Sequence, residues 1–256
     1  DLTFNASGEL DNGFTVSYMM ALDTDTAVSN TSSQLTVGMG SLGTLQVNNK
    51  GGSAANGIDD VTPHAYNETW DGLSTVNPST FGSRTSSGSL DYRIPAQEMM
   101  GLTINASVTL DPNAGVTSAT KGGVSATTVK GTAYTASIAH GSGLTIGGGV
   151  EEVEDDSGLL LASGTTETTG YVKYAMGGLS AAYQEAYTNS VNGTGTEGAD
   201  VETSFWGVAY TAGDFTVSYA ESTSQTSAVS DTAQTLESEL DSLQIAYVVG
   251  AMTISG

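Results

Sequence analysis

Cysteine is absent from all 256 residues, so neither disulfides nor thiolate metal sites can form. Long apolar runs are missing too. Nowhere do about 18 apolar residues follow one another, which excludes a transmembrane helix. Basic residues are scarce, 6 Lys and Arg against 28 Asp and Glu, and the formal net charge is −22. Phosphate binding needs clustered Lys and Arg, so no nucleic-acid partner is expected. His64 and His140 stand alone in sequence, which argues against a metal centre. No Gly-x-Ser-x-Gly elbow or phosphate loop occurs, and no nucleophile sits beside a base, so an enzyme is not expected. The first residues carry no charged-plus-apolar leader, so any signal peptide is expected to be absent already.

Apolar residues make up 38% of the chain, too poor in Leu, Ile and Phe for an ordinary two-layer core of this size. Charged residues make up only 13% and Pro numbers 4, a composition that does not suit disorder. What remains is Gly, Ser, Thr, Asn and Ala in regular alternation. A barrel with an apolar outer face in lipid and a polar inner face in water needs little interior core and fits both facts.

The alternation is plain from the start. Leu2, Phe4, Ala6, Gly8 and Leu10 fall on one face, and Thr3, Asn5, Ser7 and Glu9 on the other, a period of two. Asn12-Gly13 marks a tight hairpin turn. The chain returns through Phe14, Val16, Tyr18, Met20 and Leu22. The phrase of turn, large apolar residue, hydroxyl residue and apolar or small residue recurs at Gly101-Leu102-Thr103-Ile104 and Gly143-Leu144-Thr145-Ile146. It recurs again at Gly178-Leu179-Ser180-Ala181, Asp214-Phe215-Thr216-Val217 and Ala251-Met252-Thr253-Ile254. Between these tight turns lie long polar stretches. Short turns at one end and long loops at the other is the asymmetry of outer-membrane barrels. The spacing predicts about 14 antiparallel strands in a single all-β domain over residues 1–256. Tyr18, Tyr183, Tyr219, Trp206, Tyr210, Tyr174 and Tyr247 are expected on the outward face, where Tyr and Trp suit a lipid–water interface. Glu185 shares that face by parity.

One stretch refuses the strand pattern, from about residue 49 to residue 88. A loop of this length inside a compact domain is normally functional. It is expected to fold inward and narrow the bore.

The run Phe81-Gly82-Ser83-Arg84-Thr85-Ser86-Ser87-Gly88-Ser89-Leu90-Asp91-Tyr92-Arg93-Ile94-Pro95, closing with Gly101-Leu102-Thr103, resembles the general diffusion porins of Gram-negative outer membranes. In that family an Arg ends the constriction loop, then come a Ser/apolar/x/Tyr strand, a Pro-containing turn and Gly-Phe or Gly-Leu. The resemblance extends over essentially the whole chain. It implies a transmembrane antiparallel β-barrel of roughly 16 strands, assembled as a homotrimer in outer-membrane lipid, passing small hydrophilic solutes and ions by diffusion. The family's inward loop follows the fifth strand, whereas here it follows the fourth, so the resemblance also implies a chain truncated at both ends.

In such porins the loop presents acids across the bore from a basic wall. The loop acids here are Asp59, Asp60, Glu68 and Asp71, with Asp59-Asp60 placed where family members carry constriction acids. The basic candidates are Lys50 and Arg84 on the loop, and Arg93 and Lys173 on strands with the parity of the inner face. The family's cluster of arginines on early strands has no counterpart, since residues 1–49 contain no Lys or Arg. A weakly cation-selective pore is the expectation, because acidic rings attract cations. The densest acidic run, Glu151, Glu152, Glu154, Asp155 and Asp156, is a weak Ca²⁺ candidate, weighed against a merely solvated loop. A secreted or surface-exposed acidic β protein, of adhesin or surface-layer type, is the alternative to a channel.

Overall fold

The computed structural model describes residues 2–23, 29–49, 52–69, 80–82, 85, 88–114, 129–155, 165–190, 200–227, 236–250 and 252–256. Every strand belongs to one antiparallel sheet. Its elements are β1 (Leu2–Glu9), β2 (Thr15–Asp23), β3 (Ser29–Gly38), β4 (Thr44–Asn49), β5 (Ser89–Arg93), β6 (Gln97–Met99), β7 (Leu102–Ala114) and β8 (Val129–His140). They continue as β9 (Leu144–Asp155), β10 (Thr165–Met176), β11 (Leu179–Ser190), β12 (Val201–Ala212), β13 (Phe215–Thr226), β14 (Leu236–Val249) and β15 (Met252–Ser255). Strands adjacent in sequence pair with one another, except that β5 passes over β6 to pair with β7, and β6 lies off the main path, on β7. Among the described residues no ladder joins β1 to β15, the two ends of that path.

The main path has the 14 strands that the alternation implies, but most run further than their apolar residues mark. The upper part of β9 reaches Asp155 through Glu151 and Glu152, and β13 reaches Thr226 through Ser222, Thr223 and Ser224. Backbone pairing does not stop where the apolar outer face stops, so polar residues continue the ladder. The split between β5 and β6 has a different cause. Pro95 has no N–H to donate and interrupts the ladder. Ile94 makes the last bond of the first piece, N–H to the Ala106 carbonyl at 3.1 Å, and Gln97 resumes against Ile104.

Side chains alternate across the sheet as the period of two requires. On β10, Thr165, Glu167, Thr169 and Tyr171 are buried while Thr166, Thr168, Gly170 and Val172 are exposed. On β11, Ala182, Gln184, Ala186 and Thr188 are buried against exposed Tyr183, Glu185, Tyr187 and Asn189. The buried face is rich in small and polar residues; the exposed face carries the large apolar ones. Leu2, Phe4, Leu90, Leu110, Ile138, Ile146, Leu243 and Ile245 all stand exposed. This inverts a water-soluble protein and matches a barrel in hydrocarbon. Tyr18, Tyr183, Trp206, Tyr210 and Tyr247 are exposed with them, and Trp206 packs against Tyr219 with ring centroids 5.4 Å apart. Glu185 is on the outward side, where its carboxylate accepts a hydrogen bond from the Tyr183 hydroxyl.

Candidate functional site

Residues 50–88 connect β4 to β5, and the described part of this loop is laid along the inner face of the sheet. Its root is fixed first. Asp91, fully buried on β5, accepts from the Ala54 N–H at 2.6 Å, from the Thr109 hydroxyl and from the Arg93 guanidinium at 2.9 Å. Arg93 also donates to the Gly52 carbonyl at 3.2 Å, and the Gln46 amide donates to the same oxygen at 2.8 Å. A short helical turn, Asn56–Ile58, follows.

The loop then crosses to the far wall. The Val61 N–H donates to Gln184 Oε1 at 2.8 Å, while Gln184 Nε2 donates to the Ile58 carbonyl at 2.8 Å. The Ala65 N–H donates to the Ser218 hydroxyl at 2.8 Å. The N–H groups of Tyr66 and Asn67 share Gln244 Oε1 at 2.9 and 3.0 Å, and Gln244 Nε2 returns a bond to the Asn67 carbonyl at 2.6 Å. One strap of chain thus touches β4 and β5 at one end and β14 at the other. The sheet must wrap around it.

A small apolar cluster seats the returning limb. Phe81, Ala55 and Ala133 are wholly or nearly wholly buried together, with Ile58 alongside. Two glycines make room. A Cβ on Gly149 would lie 2.6 Å from Phe81 Cζ, so that wall position must be bare. Gly82 has φ of 77° and backs directly onto the Ala55 backbone, a conformation and a gap that only Gly accepts. Between the loop's first turn and the wall lies a cleft of about 470 Å³, lined among others by Gly57, Arg93, Ser107, Thr135 and Tyr171.

The candidate residues fall into distinct settings. Asp59 and Asp60 sit on the crossing segment, half-buried. Asp59 accepts from Asn56 Nδ2 at 3.4 Å and from the Asp60 N–H at 2.9 Å. Asp60 accepts from the Thr62 N–H and hydroxyl, each at 2.7 Å. Burial raises the Asp60 pKa above the ordinary Asp range, against the opposing pull of the Thr62 hydrogen bonds and the His64 charge. Glu68 lies further along the strap, half-buried. Arg93 points inward but is tied to Asp91 and Gly52 at the loop root. Lys173 points inward on β10, its Nζ 5.9 Å from the Tyr171 ring centroid. Lys50, Asp71, Arg84 and Asp156 lie outside the described residues.

The acidic run after Val150 is not a loop. Glu151, Glu152, Glu154 and Asp155 belong to β9, and Glu151 faces inward while Glu152 is exposed outward. Among the described residues no three Asp, Glu or His side chains gather at one point.

The residues that hold the strap, Asp91, Gln46, Gln184, Ser218 and Gln244, were not singled out in the sequence. Their signal is parity: each is an inward position, and the three glutamines are long polar side chains where Ala, Ser, Thr and Gly are the rule.

An antiparallel sheet with an apolar outside, a polar inside and a loop bound across its inner face defines a transmembrane β-barrel channel. The chain belongs to the Gram-negative porin family, whose model matches residues 1–248. It is an outer-membrane channel protein, not an enzyme, and the adhesin or surface-layer alternative falls with that assignment. Its fold is similar to a refined porin structure at 16% identity, with a TM-score of 0.66, covering 99% of this chain and 83% of that one. An anion-selective porin from Comamonas acidovorans is similar at 12% identity and a TM-score of 0.68, covering 99% and 75%. OmpT of Vibrio cholerae, an outer-membrane protein in its trimer form, is similar at 11% identity and a TM-score of 0.54, covering 95% and 88%. Comparison with curated proteins gives no match.

Proposed function

We propose that this porin passes small hydrophilic solutes and ions by diffusion through a bore narrowed by residues 49–88, with a weak preference for cations, as a homotrimer in outer-membrane lipid. The observation that carries the reading is the strap itself. Asp59 and Asp60 ride on a segment whose backbone is held by Gln184 on one wall and, a few residues on, by Gln244 on another. Acids fixed there, with Glu68 and Asp71 on the same loop, would meet every ion that passes. The opposing cations are few. Arg93 is engaged by Asp91, Lys173 stands over an aromatic ring, and Lys50 and Arg84 are the loop's own bases. The net charge of −22 points the same way. A similar structure is anion-selective, so the sign has to come from this chain's own residues.

The test is the reversal potential of single channels in a planar bilayer under a KCl gradient. Cation preference is expected, reduced in the Asp59→Asn/Asp60→Asn double variant. An anion preference, or a potential that the double variant leaves unchanged, would overturn the assignment of these acids.

A further inference from the structure

The cleft between the loop's first turn and the wall has an ordered floor. Strand register sets it as two rows of inward side chains. Arg93, Ser107 and Thr135 stand side by side on β5, β7 and β8. Asn105 and Ser137 form the next row, which reaches Tyr171 across Gly147. Gly147 has no side chain, and the Tyr171 hydroxyl crowds the space its Cβ would need, within hydrogen-bonding reach of Ser137. On the loop side, a Cβ on Gly57 would meet nothing within 4 Å, so the space stays open there. The volume of about 470 Å³ falls within the range of about 300–1,000 Å³ typical of small-molecule sites.

The floor keeps hydrogen-bonding capacity unused. Arg93 donates through Nη2 to Asp91 and to the Gly52 carbonyl, while Nη1 makes no hydrogen bond among the described residues and Nε is buried without an acceptor. Asn105 is exposed, and its amide has no partner among the described residues. The Ser107 and Thr135 hydroxyls bond to each other at 2.6 Å, which uses one hydroxyl hydrogen and leaves the other unspent. Donors and acceptors are therefore mixed. A simple anion asks for donors only, and the charge of Arg93 is offset by the buried Asp91 carboxylate at 2.9 Å. The net charge of −22 disfavours anions further. A neutral polyhydroxylated solute fits, because each of its hydroxyls both donates and accepts. We propose that this cleft is a binding subsite for a neutral sugar of hexose size. Arg93 Nη1 donates to a sugar oxygen, the Asn105 amide both donates and accepts, and the hydroxyls of Ser107, Thr135 and Ser137 complete the contacts. The inference rests on the diffusion-channel reading and names one class of solute that pauses in that bore. Each such bond, exchanged against water, contributes about 2- to 10-fold, so Kd is weak, on the order of 10⁻³–10⁻² M. Weak binding suits a channel, where a solute has to leave as readily as it enters.

Saturation-transfer NMR of D-glucose with the intact protein in detergent is the experiment. The expected glucose signal saturates, with its half-maximum at about 1–10 mM. Asn105→Ala and Ser137→Ala should each weaken binding about 2- to 10-fold. Asn5→Ala, on β1 and not lining the cleft, should leave it unchanged. Single-channel conductance of the same proteins checks that the variants fold, and it tests the channel reading separately. Channels that conduct while the protein gives no saturable glucose signal would overturn the subsite and leave the channel standing. An absence of conductance would bring down the reading beneath it. A glucose signal of equal strength in wild type and both cleft variants would place the sugar elsewhere and overturn the proposal. Displacement of glucose by inorganic phosphate, but not by D-mannose, would make the cleft an anion site and overturn the solute class.

Discussion

Asp60 takes up two opposing influences at once. Its carboxylate is held by the Thr62 N–H and hydroxyl, which favour the charged form, yet burial on the strap outweighs them and raises its pKa. The folded protein therefore keeps the Asp60 proton at pH values where the unfolded chain has released it. The protonated loop's stabilising contribution is complete below the ordinary Asp range and is lost as pH rises through the raised value. For permeation the same shift has a visible sign. On acidification, Asp60 surrenders its charge earlier than an ordinary Asp would. Cation preference, followed as reversal potential against pH, should begin to fall above the ordinary carboxylate range. Asp60→Asn should remove that early part of the fall and leave the later part, due to the other acids. A profile identical in wild type and variant would show that Asp60 contributes nothing to the field at the bore. Gln184 illustrates what a sequence can and cannot say at this scale. Its inward parity follows from Tyr183 and Tyr187 on either side, so its face was legible. Its use of both amide atoms on Val61 and Ile58, over a hundred residues away, was not, because side-chain partners across a lumen leave no periodic trace.

At the scale of the element, the strap is held more firmly at its root than any single contact suggests. Asp91 is fully buried and serves three donors, while the Arg93 side chain that pairs with it is 40% exposed. Half-solvated ion pairs contribute little, under about 1 kcal/mol. A hydrogen bond to a buried charge contributes about 1.5–3 kcal/mol, and the donors left behind add their own desolvation cost. The backbone N–H of Ala54 and the Thr109 hydroxyl should therefore matter more than the guanidinium. Asp91→Ala is expected to lower stability by several times as much as Arg93→Ala, measured as denaturation midpoints in detergent, and to make the open channel noisier as the root loosens. Equal effects of the two substitutions would mean that the ion pair, not the backbone anchor, holds the loop. The strands themselves were readable from alternation and turn residues, from Asn12-Gly13 onward. Their upper ends were not, because Ser, Thr and Glu beyond the apolar face look like loop while the ladder continues through them. Gln97–Met99 was missed for the opposite reason: Pro95 announces a break, and the three residues after it are too few to show a period.

The whole molecule carries −22 charges, and these can act on ions in two ways. Acids away from the strap act at a distance, through a field that salt screens within about 10 Å at 0.1 M and about 3 Å at 1 M. Acids on the strap, if they line the constriction as proposed, would act at contact, where little solvent intervenes. The two contributions separate with ionic strength. The cation-to-anion permeability ratio should fall between 0.1 M and 1 M KCl but remain above unity at the higher concentration. The Asp59→Asn/Asp60→Asn variant should lose the part that survives 1 M salt while keeping most of the part seen at 0.1 M. Reversal potentials under matched gradients read both. A wild-type ratio of unity at 1 M would assign all selectivity to the diffuse field, and the strap would then narrow the bore without choosing among ions. A variant indistinguishable from wild type at 1 M would shift the contact role to other acids on the loop, Glu68 and Asp71 first.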